Sequence, residues 1–120
     1  MEKLGITWRV FSGYILILIL MIWVGTANAQ IQVSQFNAEW NNTNTVGWVQ
    51  DLKDCKTISY IDISKETEMA KKHKIAVIPT IIIFKDNEEV ARFQADLSFK
   101  MVVTKEEVQE EIDNILMSDF

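Results

Sequence analysis

The spacing of apolar residues along this chain predicts an α/β domain with elements in the order βαβαββα. Three observations carry the prediction. The stretch Ile31-Gln32-Val33-Ser34-Gln35-Phe36 alternates with the period of a strand and is followed by apolar residues at helical spacing. Further on, Thr80-Ile81-Ile82-Ile83-Phe84 is an unbroken, largely β-branched run leading through a polar turn into a second alternating stretch. The chain then closes on an amphipathic stripe headed by a capping box. With 120 residues, 48% apolar and 24% charged, the composition is that of an ordinary globular domain, without a repeat period or a disorder signature.

Taken in order, the first strand ends at Phe36 and meets an Asn/Thr cluster of the kind that starts helices. Thr45, Trp48, Val49 and Leu52 recur at i, i+3, i+4 and i+7, which predicts a first helix with these four on one face. Gly47 weakens that helix by about 1 kcal/mol relative to Ala. Ile58, Tyr60, Ile61 and Ile63 give a second strand. Ser64 is the expected N-cap of a short helix through Met69 and Ala70 to His73, with Lys71, Lys72 and Lys74 at the end where cations complement the helix dipole. Lys85-Asp86-Asn87-Glu88 is turn chemistry, and the alternation from Glu89 to Gln94 completes a hairpin. In the last helix Thr104 caps, Glu107 closes the box, and Val108, Ile112, Ile115 and Leu116 form the apolar stripe. The acidic run Glu106, Glu107, Glu110, Glu111 and Asp113 is its solvated face.

The first 29 residues differ in character. Lys3 and Arg9 form a basic segment, Phe11 to Val24 is almost wholly apolar, and Ala27-Asn28-Ala29 is a small-residue cleavage signal. The apolar run is shorter than the roughly 20 residues of a comfortable membrane span. This predicts a signal peptide over residues 1–29 and a domain over residues 30–120, exported to a periplasmic or extracellular space; the alternative is an uncleaved anchor tethering the domain through residues 10–24. The domain without its leader carries 10 basic and 16 acidic side chains. That balance argues against nucleic acid, and against anionic lipid beyond the tether itself, because both call for a basic patch.

There is one cysteine, Cys55, so an intramolecular disulfide and a dithiol reaction by this chain alone are excluded. In an exported protein such a thiol is either buried and inert or free to link two copies as a homodimer. Its neighbours Lys53, Asp54 and Lys56 offer no evident activation. His73, the sole histidine, lacks Cys, Asp or Glu at metal-ligand spacing, and no Gly-rich phosphate loop, catalytic carboxylate pair or nucleophile elbow is present. No cofactor or metal is expected. Asn41-Asn42-Thr43 matches a glycosylation sequon.

Two motifs identify a family. Phe36-Asn37-Ala38-Glu39-Trp40 runs into Asn41-Asn42-Thr43-Asn44, and Ile78-Pro79-Thr80 follows downstream within the ordered set Tyr60-Ile61-Asp62-Ile63, Lys74 to Thr80 and Phe84 to Glu88. The pattern resembles the thioredoxin family, in which an F-x-A-E-W strand end enters a Cys-x-x-Cys pair and an I-P-T turn with a cis proline packs against it. The resemblance spans about Ile31 to Leu116 and implies a minimal thioredoxin-like fold: a central mixed sheet with helices on both faces, lacking the extra N-terminal strand and helix of full-length relatives. It also implies that Asn41 and Asn44 stand at the two cysteine positions. The family's buried acid falls at Gln35 and its helper lysine at Tyr60, and neither replacement serves the family's proton transfer.

Disulfide exchange needs a thiolate and a resolving thiol, and an amide supplies neither. Asn41 and Asn44 are instead suited to capping a helix start. Pro79 persists. In the family, the residue before it pairs its backbone with an extended substrate, so Ile78, Pro79 and Trp40 become candidates for binding a peptide without reacting with it, while the alternative is that Pro79 only fixes the strand entry. Trp48 fits the apolar helix face better than such a groove. The expected function is therefore a redox-inactive thioredoxin-like module that binds a protein or extended peptide. The competing expectation is a weak thiol-disulfide oxidoreductase or monothiol redox partner acting through Cys55. That thiol is separated from Asn41 by a predicted helix, on the order of 15 to 20 Å.

Overall fold

The computed structural model describes residues 30–118, so the expected leader peptide lies outside the described residues. Four strands form one mixed sheet in the order β2-β1-β3-β4. The central strand β1 (Ile31–Asn37) runs parallel to β2 (Thr57–Asp62) and antiparallel to β3 (Thr80–Lys85), which pairs with the antiparallel edge strand β4 (Glu88–Gln94). Asp86 and Asn87 both take positive φ, 52° and 70°, which gives the β3-β4 hairpin the twist that two-residue connections favour.

Strand alternation divides the core into two layers. Ile31 and Val33 of β1 and Ile81 and Ile83 of β3 face Val46, Val49, Leu52, Val108 and Ile112 on one side. Phe36 and Ile82 face the other side with Ile61, Ile63, Met69, Ile75 and Phe84. Burial on both faces is why β3 reads as a continuous apolar run. Helix α1 (Thr67–Lys72) borders the second layer through Met69, and helix α2 (Lys105–Met117) closes the first through Val108 and Ile112. Thr104 caps this helix as expected, its Oγ1 accepting from the Glu107 amide at 3.2 Å, while the Glu107 carboxylate accepts from the Thr104 hydroxyl at 3.3 Å.

Two local expectations are corrected. The segment after β1 is not an α-helix but a pair of 3-10 turns, Glu39–Asn44 and Gly47–Asp51. The cause lies in Gln35, whose side chain donates to the Val46 carbonyl (3.1 Å) and accepts from the Val46 amide (2.7 Å). Both Val46 backbone groups are thereby withdrawn from any helical ladder, and Val46 is extended. The buried face carries Val46 with Val49 and Leu52, Trp48 is half-buried against it, and Thr45 is exposed. Secondly, α1 is preceded by Glu66 rather than capped by Ser64. The amide and hydroxyl of Ser64 both donate to Asp62 Oδ1, a local turn that postpones the helix.

Candidate binding site at the Trp40 and Pro79 end of the sheet

The C-terminal end of β1 gathers three chain segments. Phe36 pairs with Thr80, so the Ile78-Pro79 dipeptide enters β3 beside the Asn37 end of β1. The Ile78-Pro79 bond is cis. Ala95 N-H donates to the Pro79 carbonyl at 3.0 Å, which brings the β4-α2 connection to the same end. That connection is tied to the turn after β1 by an edge-to-face contact of Trp40 and Phe99, ring centroids 5.4 Å apart. Asn41, Asn44, Trp40, Ile78 and Pro79 therefore all lie at one end of the sheet.

Inside this end is a chain of amides. Asn41 Nδ2 donates to Asn37 Oδ1 at 3.0 Å, and Asn44 Nδ2 donates to Asn41 Oδ1 at 2.8 Å. Asn37 Nδ2 in turn donates to the Asn41 carbonyl at 3.2 Å and to Thr45 Oγ1 at 3.1 Å. Gln35, clasping Val46, lies in the same segment. Among the described residues no buried side-chain nitrogen or oxygen lacks a partner. Neither Asn41 nor Asn44 caps a helix: the first 3-10 turn follows Ala38, with no side-chain cap. Their amides are spent on each other because Asn37, at the last position of β1, offers a buried partner. Asn41 is 5% exposed, so the sequon does not present an accessible acceptor.

Asn37 is the site residue that sequence reasoning missed. The available signal was a polar residue within the aromatic strand end, where the alternation calls for a buried side chain. The register also bears on Gln35 and Tyr60, which pair across β1 and β2. A neutral glutamine and a phenol thus sit together, with no carboxylate or ammonium between them.

Exposed apolar groups flank the amides. Trp40 is 67% exposed, and the loop joining β4 to α2 carries Leu97 (94%), Phe99 and Val102. Asp96 folds this loop, accepting from the Ser98 amide and hydroxyl and from the Lys100 amide. Phe99 takes a positive φ of 64°, an unfavourable conformation for a bulky residue, held by this turn and by Trp40. Nearby, Asn44, Trp48, Lys100 and Met101 help line a surface depression of about 250 Å³.

Ile78 and Pro79 are themselves buried, so neither presents its side chain at the surface. Outside regular strand pairing, the Pro79 carbonyl is taken by Ala95.

Cys55 is elsewhere. The amide of Lys56 donates to the Ile31 carbonyl, which places the cysteine at the start of β1, the opposite end from Asn41. Six strand steps at about 3.3 Å separate the two ends by roughly 20 Å. Partial burial, reinforced by Asp54, pushes the Cys55 thiol up to about 11. A thiol so poorly ionised at neutral pH is a weak nucleophile. His73 is likewise not a site residue; its ring lies between Phe36 and Phe84, with centroids 5.5 and 5.2 Å away. Among the described residues, no group of His, Cys, Asp and Glu is arranged to hold a metal ion.

A family model for thioredoxin matches residues 28–114. The chain belongs to the thioredoxin family. It is 38% identical over 56 residues to chloroplastic thioredoxin Y1 of Arabidopsis thaliana, a match over 47% of this chain and only 33% of that relative's length. Among solved structures, thioredoxin-2, described as a component of malaria parasite protein secretion machinery, superposes with a TM-score of 0.54 at 20% identity over 74% of this chain and 86% of its own. A single-substitution mutant of thioredoxin from Halobacterium salinarum NRC-1 gives 0.52 at 17% identity over 72% and 75%. At such identities these two structures speak for the fold alone. Within this family, a single-cysteine chain lacks the dithiol on which thiol-disulfide oxidoreductase chemistry depends.

Proposed function

We propose that this chain is an exported thioredoxin-family domain that has exchanged its redox centre for a binding role, with Asn41 and Asn44 at the former cysteine positions. The observation that carries this reading is the closed amide chain through Asn37, Asn41 and Asn44. Every buried polar group there is satisfied by a neutral partner, so nothing is poised to ionise or attack. The same end of the molecule retains the cis Ile78-Pro79 turn and presents Trp40 and Phe99 to solvent. Exposed aromatics at this end suit a segment of another protein, bound chiefly by apolar side-chain contact with Trp40 and Phe99.

Two measurements test the proposal. Titration of the protein with a reduced and alkylated unfolded polypeptide, followed by tryptophan fluorescence, is expected to saturate. Trp40→Ala is expected to weaken that binding about tenfold, as loss of a buried aromatic anchor does. Equal affinity of the two proteins sinks the binding role at this end. In a disulfide-reduction assay the natural chain is expected to be inert and Asn41→Cys/Asn44→Cys to gain activity. Activity of the natural chain that disappears in Cys55→Ala would instead establish monothiol chemistry. Export is tested by the N-terminus of the protein recovered from its own cells, expected at Gln30.

A further inference from the structure

We propose that β2 is a dimerisation edge, on which a second copy of this chain adds its own β2 in antiparallel register centred on Ser59. β2 ends the sheet, with β1 as its sole strand partner among the described residues. The two edges of the sheet are built differently. β4 carries Glu88, Glu89 and Arg92, and a register irregularity between Ile83 and Phe84 disturbs its pairing with β3; both devices discourage further strand addition. β2 has neither. Its pairing with β1 is continuous, and Thr57-Ile58-Ser59-Tyr60-Ile61 contains no charge, proline or glycine.

The sequence of this edge is complementary to itself. Lys56 and Asp62 flank the uncharged run, three residues either side of Ser59. An antiparallel pair centred on Ser59 sets Lys56 of each copy opposite Asp62 of the other, twice over by symmetry. A shift of one residue loses both oppositions. The same register sets Ile58 opposite Tyr60, a β-branched and aromatic pair of the kind that stabilises sheets, and covers a tyrosine that is 43% exposed. Asp62 remains a carboxylate for this role, since Ser64 holds its pKa below the ordinary value. The two sheets then join into one of eight strands about a twofold axis, an isologous interface. Along the paired strands the two Cys55 lie at opposite ends, on the order of 25 Å apart, so this dimer is not the disulfide-linked one.

The test is sedimentation equilibrium of the full chain, with and without reductant. A reversible dimer insensitive to reductant is expected. Lys56→Glu turns both attractive oppositions into repulsive ones and is expected to raise the dissociation constant about tenfold or more. Ser59→Lys and Ser59→Glu each place like charges at the twofold axis and are expected to be monomeric, with circular dichroism unchanged. An equimolar mixture of those two is expected to recover the dimer. A natural chain that stays monomeric overturns the proposal, including one whose β2 amides resist hydrogen exchange because another segment of the same chain covers them. So does a dimer that survives Ser59→Lys, or a pair of variants that fails to recombine.

Discussion

At the scale of single residues, the decisive feature is the use of neutral amides where the chain turns out of β1. Asn37 is fully buried and serves Asn41 twice and Thr45 once. Asn37→Ala removes those bonds and leaves the Asn41 amide without its acceptor, so a loss of about 2 to 4 kcal/mol is expected in denaturant unfolding. His73 offers a pH-dependent counterpart. Desolvation, followed by the nearby Lys72, lowers its pKa below the ordinary value. The unfolded chain therefore takes up a proton at a pH where the folded chain resists it. Stability contributed by neutral His73 is fully present above about pH 6.5 and declines as pH falls from there towards the lowered folded value. His73→Gln is expected to flatten that part of the stability profile; an unchanged slope between pH 7 and pH 5 would refute the assignment.

At the scale of elements, short pieces are held by side chains from elsewhere. Helix α1 is six residues long and buries none of them fully, too little to be stable alone. Its carboxyl end is secured by Arg92 of β4, which donates to the His73 carbonyl at 2.6 Å and the Lys74 carbonyl at 3.1 Å while pairing with Glu89. The lysines of the sequence reading at that end are thus supplemented by a cation 19 residues away. Arg92→Ala is expected to cost about 1.5 to 3 kcal/mol, the range for hydrogen bonds from a charged donor, and to speed amide exchange in α1 before the rest of the sheet. The two 3-10 turns illustrate the same dependence. Their apolar spacing is legible as helical, yet Gln35 claims both backbone groups of Val46 and divides the segment.

At the scale of the whole molecule, the sheet is a shared wall between two apolar layers. Ile112 is the deepest contribution of α2 together with Val108, and both are wholly buried. Ile112→Ala is expected to destabilise by about 2 to 5 kcal/mol. Against the roughly 5 to 15 kcal/mol of a typical domain this is a large fraction. Because α2 and the 3-10 turns share one layer, the loss is expected to lower a single unfolding transition; α2 melting separately in calorimetry would show that the layer is not cooperative.

The strand positions, the β3-β4 hairpin, the capped last helix and the family were all legible in the sequence by itself. Each rests on local information: alternation in β1, the two-faced apolar run of β3, the Asp86-Asn87 turn, and Thr104 with Glu107 three residues on. The cysteine count likewise fixed the absence of a dithiol without any structure. What only the tertiary structure decided were the partners of the polar groups. Asn41 and Asn44 have the composition of helix caps, yet they form a buried amide chain because β1 delivers Asn37 to them. Val46 and the carbonyls of His73 and Lys74 are claimed by side chains distant in sequence, Gln35 and Arg92. Local spacing records which side chains must leave water, whereas hydrogen-bond partners depend on which segments the packed sheet brings within about 3 Å, a relation that exists only once the chain has folded.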